Sequence, residues 1–198
     1  MIENFKTVSN SSKGEFKDRG SKFIAYCYAV SSLEDVSKNI LIVKKAHQKA
    51  SHHCYAYRIG IDKNNFRAND DGEPSGTGGK PILGQIDSFG ITNVLIIVVR
   101  YFGGVLLGAG GLINAYREAA KEALNKATIV ERKLTYEAKL NCDFIHLPEV
   151  MNLLKRLHLK ILNSDFTEGC EINIIADKEQ LKKLTDLREL KIELKNQV

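Results

Sequence analysis

The 198-residue chain is 43% hydrophobic and 27% charged, with 15 glycines and 3 prolines. This composition is typical of a folded globular protein of one or two domains and excludes collagen-like and disordered chains. The longest apolar run, VLIIVV, is much shorter than the ~20 residues of a membrane helix, and the four cysteines are widely spaced with no secretory leader. We therefore expect a cytoplasmic protein with reduced thiols.

The positive charge is concentrated in the first part of the chain. Residues 1–130 contain 17 Lys+Arg against 12 Asp+Glu, whereas residues 131–198 contain 12 of each, so the net charge of +5 belongs to the first part. A basic domain of this kind can attract RNA, a ribosome or an acidic protein, although such a small excess also serves solubility alone.

The first 80 residues predict a hairpin, a helix and a strand. The segment 14–30 is extended on both sides of a break at Arg19-Gly20. Ser32 begins an S-x-x-D capping pattern, and apolar residues follow it at helical spacing as far as residue 47. The segment HHCYAYRIGI at 52–61 predicts a strand, and a polar loop is expected over 62–80.

The next segments predict helix, strand and helix. Pro81 suits the first turn of a short helix that ends before Gly90. The run TNVLIIVVRY is apolar on both alternating faces, which predicts a central strand covered on both sides and ending near Arg100. A helix of about four turns is expected from Leu112 onward. We place the end of the first domain at residue 130.

The remaining residues, 131–198, predict a second domain. Its segments alternate as strand, helix, strand, strand, helix, with KIELKN as a closing strand. This is the order of a ferredoxin-like split βαβ fold, so the predicted class is α+β with two domains.

The glycine-rich segment DDGEPSGTGGKP at 70–81 invites comparison with phosphate and calcium loops. A triphosphate loop requires glycine where Pro74 stands and Ser or Thr where Pro81 stands, and three acidic residues would repel phosphate. The alternating oxygen ligands of a calcium loop are also missing. The segment therefore predicts a stiff turn-rich loop or a recognition loop.

A second segment, RYFGGVLLGAGGL at 100–112, leads from the buried strand into a helix. Its backbone amides at 108–112 suit an anion because they lie at a helix N-terminus. The dinucleotide-binding pattern is incomplete, since its third glycine position holds Ile113. Close packing of helix on sheet is the alternative explanation of these glycines.

Three adjacent residues, His52, His53 and Cys54, invite a metal interpretation. On a strand only His52 and Cys54 share a face, and no fourth ligand is evident, so we assign no metal. A Cys-His nucleophile lacks an orienting third group. A basic face interleaved with two tyrosines would suit single-stranded RNA and comprises Lys44, Lys45, Lys49, Tyr55, Tyr57, Arg58, Arg67 and Lys80.

Taken together, DDGEPSGTGGKPIL and VVRYFGGVLLGAGGL resemble the signature of the YigZ/IMPACT family, and GSKFIAY and HHCYAY occur in the matching order. The resemblance covers residues 14–128, and the remainder resembles the second domain of the bacterial members. It implies a first domain like the second domain of a small-subunit ribosomal protein, a fold shared with galactokinase-type kinases. It implies a second, ferredoxin-like domain similar to the last domain of elongation factor G.

Eukaryotic members of the family regulate translation during amino-acid starvation through an additional RWD domain, which these 198 residues do not contain. Their partnership with a kinase activator is therefore not carried over. The matching positions mark a shared surface rather than catalysis. They are Asp71, Gly72, Glu73, Pro74, Ser75, Gly76, Thr77, His53 and Tyr101, and the anion-binding candidates are Arg100, Gly103, Gly104, Gly108, Gly110 and Gly111.

Three functions are consistent with these observations. The first is a translation-linked regulator without catalytic residues or cofactor that binds RNA, the ribosome or a translation-associated protein. The second is an enzyme or sensor for a phosphorylated small molecule, for which Asp71 and Glu73 are candidate acidic groups. The third is a scaffold that binds a protein partner. If Asp71 or Glu73 faces Arg100, we expect it to shape the surface rather than to meet a partner.

Overall fold

The computed structural model describes residues 4–62, 64–167, 169–187 and 190–197. The chain divides into two compact units. The first unit is Phe5–Arg132, and the second holds Asn4 and the described residues from Lys133 onward. None of the helices in the described ranges is both long enough and apolar enough to span a membrane.

The first unit is built on a five-stranded sheet with the order β2-β3-β6-β4-β5. Its strands are β2 (Ser12–Asp18), β3 (Ser21–Ala29), β4 (His52–Ile59), β5 (Asn65–Asn69) and β6 (Val94–Tyr101), each antiparallel to its neighbours. The central position of β6 confirms the expectation from its apolar run. The β2–β3 hairpin turns at Arg19 and Gly20, both with positive φ. Strands β1 (Asn4–Val8) and β7 (Ile129–Lys133) form a separate two-stranded sheet.

Helices cover both faces of this sheet. Helix α1 (Leu33–Ala46) packs on one face, and α2 (Gly79–Ser88) and α3 (Gly108–Asn125) pack on the other. Helix α1 begins with the predicted capping box, in which the Ser32 side chain accepts from Asp35 N–H and the Asp35 carboxylate accepts from Ser32 N–H. Because both faces are covered, β6 is buried from Val94 to Arg100.

The second unit has a four-stranded antiparallel sheet with the order β11-β8-β10-β9. Its elements are β8 (Thr135–Cys142), α4 (Leu147–Arg156), β9 (Lys160–Asp165), β10 (Cys170–Asp177), α5 (Lys178–Leu184) and β11 (Lys191–Gln197). The predicted element order is confirmed, and it is that of a split βαβ fold. Leu140, Leu154 and Ile172 are among the residues of its own core.

Some predicted boundaries were wrong. Strand β5 lies within the segment expected to be a loop, and its exposed sequence NFRAN gave no apolar alternation. Strand β1 lies before residue 14, where no element was predicted. Helix α3 begins at Gly108 rather than at Leu112, because tertiary packing outweighs the low helix propensity of three glycines. Gly108, Gly110 and Gly111 therefore belong to the first turn of the helix.

Candidate functional site

The two glycine-rich segments meet at one end of the central strands. Strand β4 runs antiparallel to β6, and His52 pairs in register with Arg100, so the start of β4 lies beside the end of β6. The chain after β5 returns to the same end, because Asn69 pairs with Tyr55. The sheet register thus brings residues 70–77 and 100–108, which are distant in sequence, to one place.

A buried ion pair joins the two segments. Arg100 Nη1 donates to Glu73 Oε1 at 2.7 Å, and their side chains are 7% and 2% exposed. The same carboxylate oxygen accepts from Tyr116 Oη at 2.7 Å, and Tyr116 is fully buried on α3. Burial first, then the neighbouring Cys54 and Glu73, raise the pKa of Tyr116, so its hydroxyl stays protonated and donates. Glu73 therefore faces Arg100 and shapes the surface.

Asp70 anchors the first segment to α2. Its Oδ1 accepts from the N–H groups of Gly78 and Gly79 at 2.9 and 2.8 Å, and its Oδ2 accepts from Gly76 N–H at 2.9 Å. Burial raises the pKa of Asp70, but the three amide hydrogen bonds outweigh burial and hold the pKa below its ordinary value. The amides at the N-terminus of α2 are thus occupied by a carboxylate of the protein itself.

Asp71 anchors the same segment to β4 and α1. Its Oδ2 accepts from His53 N–H at 2.7 Å, and its Oδ1 contacts Lys44 Nζ at 3.0 Å. The His52 ring donates from Nδ1 to the Asp71 carbonyl oxygen at 2.9 Å. Asp71 has a φ of 43° and Gly72 a φ of 89°, so the chain makes a left-handed turn that these contacts hold in place.

The remaining residues of the first motif form a tight turn. Thr77 donates from both N–H and Oγ1 to the Pro74 carbonyl oxygen, at 3.0 and 2.6 Å. Ser75 is exposed, and Gly76 has a φ of 77°. Residues 74–77 therefore form the turn-rich loop that the composition of the segment predicts.

A cavity of about 450 Å³ opens where the segments meet. We call its lining the motif surface. The lining residues are Ser51, His52, Gly72, Glu73, Pro74, Arg100, Phe102, Leu106, Leu107, Gly108, Ala109 and Leu112. A volume of this size lies within the range of small-molecule sites in proteins.

Arg100 is the buried cation of the motif surface. The residue is 6% exposed, and its guanidinium carbon lies 5.5 and 5.6 Å from the ring centres of Phe23 and Phe102. Its Nε is buried without a hydrogen-bond partner. Burying such a donor without a partner costs about 1–3 kcal/mol of folding free energy. A buried donor left unpaired in this way calls for an explanation.

The glycines proposed to bind an anion have different surroundings. Gly108 lines the cavity. A Cβ at Gly103 would lie 1.9 Å from the Gly20 carbonyl carbon, so this glycine permits close approach to the β2–β3 turn. Gly104 has a φ of 86°, and Gly110 has open space around a built Cβ. A Cβ at Gly111 would contact the Leu107 side chain. Of the five, only Gly108 lines this cavity.

Tyr101 and His53 lie on the other face of the sheet from Arg100, because successive strand residues alternate. Tyr101 Oη hydrogen-bonds to His47 Nδ1 at 2.8 Å, and His47 Nε2 hydrogen-bonds to Tyr26 Oη at 2.7 Å. His53 Nε2 contacts the His47 carbonyl oxygen at 3.1 Å. Burial and the nearby Lys13 and His53 lower the pKa of His47. These two motif residues therefore help to fix α1 on the sheet.

The geometry around Cys54 differs from that of a metal or nucleophile site. Its Sγ donates to the Asp70 carbonyl oxygen at 3.0 Å, and burial raises its pKa to about 12. A protonated, buried thiol is a poor nucleophile. In the described part of the chain, no group of three or more His, Cys, Asp or Glu residues is placed to hold a metal.

The predicted basic face is not continuous. Arg58 is buried and pairs with Asp87 at 2.6 Å, and Lys44 pairs with Asp71. Tyr55 and Tyr57 pack on the α1 face of β4, whereas strand alternation places Arg58 on the opposite face. The side chains of β4 alternate between the two faces of the sheet, so the residues of the predicted basic face do not lie on one surface.

Sequence reasoning missed four contributors to the site. Tyr116 was expected only as part of the helix that follows Leu112, and Asp70 was not among the chosen motif residues. Phe102 and Leu106 were not selected, because the sequence gives no sign that these two apolar side chains are exposed. They are 49% and 82% exposed.

Comparison with known proteins defines the class first. The model of the Impact N-terminal domain matches residues 19–124, which include both motif segments and the motif surface. IMPACT family member YvyE of Bacillus subtilis is 34% identical over 91% of this chain and 83% of its own length. IMPACT family member YigZ of Escherichia coli is 36% identical over 74% of this chain and 72% of its own length.

A solved structure matches over nearly the whole chain. The crystal structure of a hypothetical protein matches with a TM-score of 0.80 and 30% identity, covering 99% of each chain. The chain therefore belongs to the IMPACT family, as the two glycine-rich segments had indicated.

Proposed function

We propose that this chain is a non-enzymatic, translation-linked binding protein whose motif surface contacts RNA. The observation that carries the proposal is the Glu73–Arg100 ion pair, which joins the two motifs into one lined cavity. The motif residues build a recognition surface in this arrangement, and the exposed apolar residues at its edge are available to a partner.

The engagement of the acidic residues supports binding rather than catalysis. Asp70 accepts three backbone hydrogen bonds, Asp71 is held by His53 N–H and Lys44, and Glu73 is held by Arg100 and Tyr116. A general base must be able to accept a proton from the substrate. Each of these carboxylates instead accepts hydrogen bonds from groups of the protein. The earlier suggestion of Asp71 and Glu73 as acidic groups of an enzyme loses support from this geometry.

The link to translation comes from family membership. The family resemblance implies one domain like that of a ribosomal protein and another like that of elongation factor G, and both likenesses belong to this proposal. The charge distribution also favours RNA as the partner, because the whole net charge of +5 arises from residues 1–130. A cytoplasmic location is part of the same proposal.

The test is binding to ribosomes and to ribosomal RNA fragments across a salt series. We expect affinity that exceeds that of an unrelated protein of equal charge at every salt concentration, with a log–log slope that reports the number of phosphate contacts. Affinity equal to that of the control protein throughout would show that the charge alone is responsible and would refute the proposal.

A sensor for a small phosphorylated molecule is the second candidate, because the cavity has the size of a small-molecule site. A thermal-shift screen of nucleotides and sugar phosphates with magnesium tests it. A ligand present at ~100 times its dissociation constant should stabilise the protein by ~2.7 kcal/mol. Stabilisation by such a ligand together with control-level ribosome binding would favour the sensor over the RNA-binding protein.

A further inference from the structure

We infer that the cavity of the motif surface is a nucleotide subsite, in which the first turn of α3 and Arg100 bind a phosphate group and Phe102 contacts the base. The inference rests on the proposed binding function, because it names the ligand chemistry of the same surface. The nucleotide has two possible sources, a free mononucleotide and the end of an RNA strand.

The first turn of α3 offers amide donors to the cavity. The helix runs for 18 residues from Gly108, its N-cap residue Leu107 makes no side-chain cap hydrogen bond, and its first turn contains no acidic residue. Gly108 enters the helix with a φ of 70°, and by helix geometry the N–H groups of Ala109 and Gly110 precede the first intrahelical hydrogen bond. Gly108 and Ala109 line the cavity. A phosphate seated there would receive amide hydrogen bonds and the favourable helix dipole.

Arg100 is the second, independent feature. It lines the same cavity, is 6% exposed and keeps a buried Nε without a partner. Glu73 already balances one positive charge, so the attraction for a phosphate comes from the amides and from the remaining guanidinium N–H groups. Because Arg100 lines the cavity together with Gly108 and Ala109, a phosphate at the first turn of α3 would lie beside this guanidinium, and hydrogen bonds between charged groups of this kind are strong.

Helix α2 packs on the same face of the sheet, and the amides at its start are already hydrogen-bonded within the protein. At the start of α2, the Asp70 carboxylate accepts from Gly76, Gly78 and Gly79. Within the described ranges, no side-chain hydrogen bond caps the start of α3, and its first turn holds no acidic residue. The two helix starts therefore differ in whether a carboxylate of the protein caps their amides, and in the cavity beside α3 the Glu73 carboxylate is paired with Arg100.

The apolar part of the cavity suits a base. The Phe102 ring is 49% exposed and lies over the Arg100 guanidinium, and Leu106 is 82% exposed beside it. A half-exposed aromatic ring next to a phosphate site provides a stacking platform, and such stacking tolerates any base. Because Phe102 and Leu106 offer apolar contacts beside the phosphate position, we infer that the ligand is a nucleotide rather than a phosphate ion.

The test begins with isothermal titration of the full chain at constant ionic strength. The probes are adenosine monophosphate, adenosine, inorganic phosphate, and one short oligoribonucleotide with either a 5′-phosphate or a 5′-hydroxyl. We expect the phosphorylated member of each pair to bind more tightly by at least about 10-fold, because the phosphate contributes charge-assisted hydrogen bonds. Preference for the oligonucleotide over the mononucleotide identifies an RNA end as the source, and the reverse identifies a free nucleotide.

A matched pair of variants tests the location. Ala109 is exposed and lines the cavity, so Ala109→Asp places a carboxylate at the phosphate position while acidic residues in a first turn still favour the helix. We expect Ala109→Asp to weaken binding by at least about 10-fold through like-charge repulsion. The isosteric Ala109→Asn should change it by less than about 3-fold.

A third variant tests the base contact. Phe102→Ala should weaken the binding of adenosine monophosphate by at least about 5-fold and leave inorganic phosphate unaffected. Equal binding of adenosine and its monophosphate, equal effects of Ala109→Asp and Ala109→Asn, or no binding of any probe would each overturn the inference. Ribosome binding in the salt series is measured separately, so the proposed function stands or falls on its own result.

Discussion

Glu73 balances the buried charge of Arg100, and the variant Glu73→Gln would remove that balance while keeping the shape of the side chain. An uncompensated buried guanidinium is strongly destabilising, so we expect the free energy of unfolding to fall by about 3–5 kcal/mol. Urea unfolding followed by circular dichroism measures it. As a control, Glu15→Gln removes surface ion pairs with Lys17 and Lys22 and should cost much less, because water screens such pairs. Equal losses in the two variants would contradict the role of the buried pair.

Because the pKa of Asp70 is lowered by folding, we expect the free energy of unfolding to depend on pH. Its pKa is lowered in the folded state because three amide hydrogen bonds outweigh burial. A lowered pKa means that the contribution is present above the unfolded value of ~3.9 and is lost as the pH falls through the folded value. The stability difference between wild type and Asp70→Asn should therefore be greatest near neutral pH and shrink on acidification. Urea unfolding from pH 7 to 3 tests this, and a constant difference would contradict it.

At the scale of elements, alanine substitution at two glycines is expected to change the stability in opposite directions. A Cβ at Gly14 would lie 2.3 Å from the backbone nitrogen of Ala123, so β2 packs directly on α3 at this point. Gly14→Ala should destabilise the protein by at least about 1–3 kcal/mol through overpacking. Gly110 meets open space in the first turn of α3, so Gly110→Ala should stabilise by about 0.5–1 kcal/mol. Urea midpoints compare the two, and a shift of the same sign in both would contradict the packing argument.

Elements with a local signal were predictable from the sequence. Helix α1 has its capping box, and β6 has six apolar residues in succession that demand cover on both faces. Strand β5 and the start of α3 were not predictable, since an exposed edge strand has no apolar alternation and a glycine-rich helix start has low propensity. Strand β5 is held by its hairpin pairing with β4, and α3 packs on β2, β3 and α2, which are more distant in sequence.

The candidate site was predictable only as two separate segments. Arg100 and Glu73 were both chosen from the motifs, but their ion pair depends on the register of β4 against β6, which no local pattern encodes. Tyr116 reaches Glu73 from α3, 43 residues away along the chain. Long-range pairing of this kind explains why Arg100 and Glu73 were selected from the motifs while Tyr116 was missed.

At the scale of the whole molecule, the location of charge predicts which unit binds RNA. Arg19 and Lys80 are exposed residues of the first unit, and Lys160 and Lys191 are exposed residues of the second. Neutralising either pair with glutamine lowers the net charge equally, by two from +5. Non-specific attraction would respond equally to both changes.

We expect the double variant Arg19→Gln, Lys80→Gln to weaken binding to ribosomal RNA fragments, since Arg19 lies at the turn that contacts Gly103 and Lys80 lies in the first turn of α2. The slope of log affinity against log salt should flatten by up to about 1.4, at ~0.7 for each lost phosphate contact on a single strand. The matched variant Lys160→Gln, Lys191→Gln should leave the slope unchanged. If both pairs flatten it equally, binding follows net charge and the first unit has no special part in it.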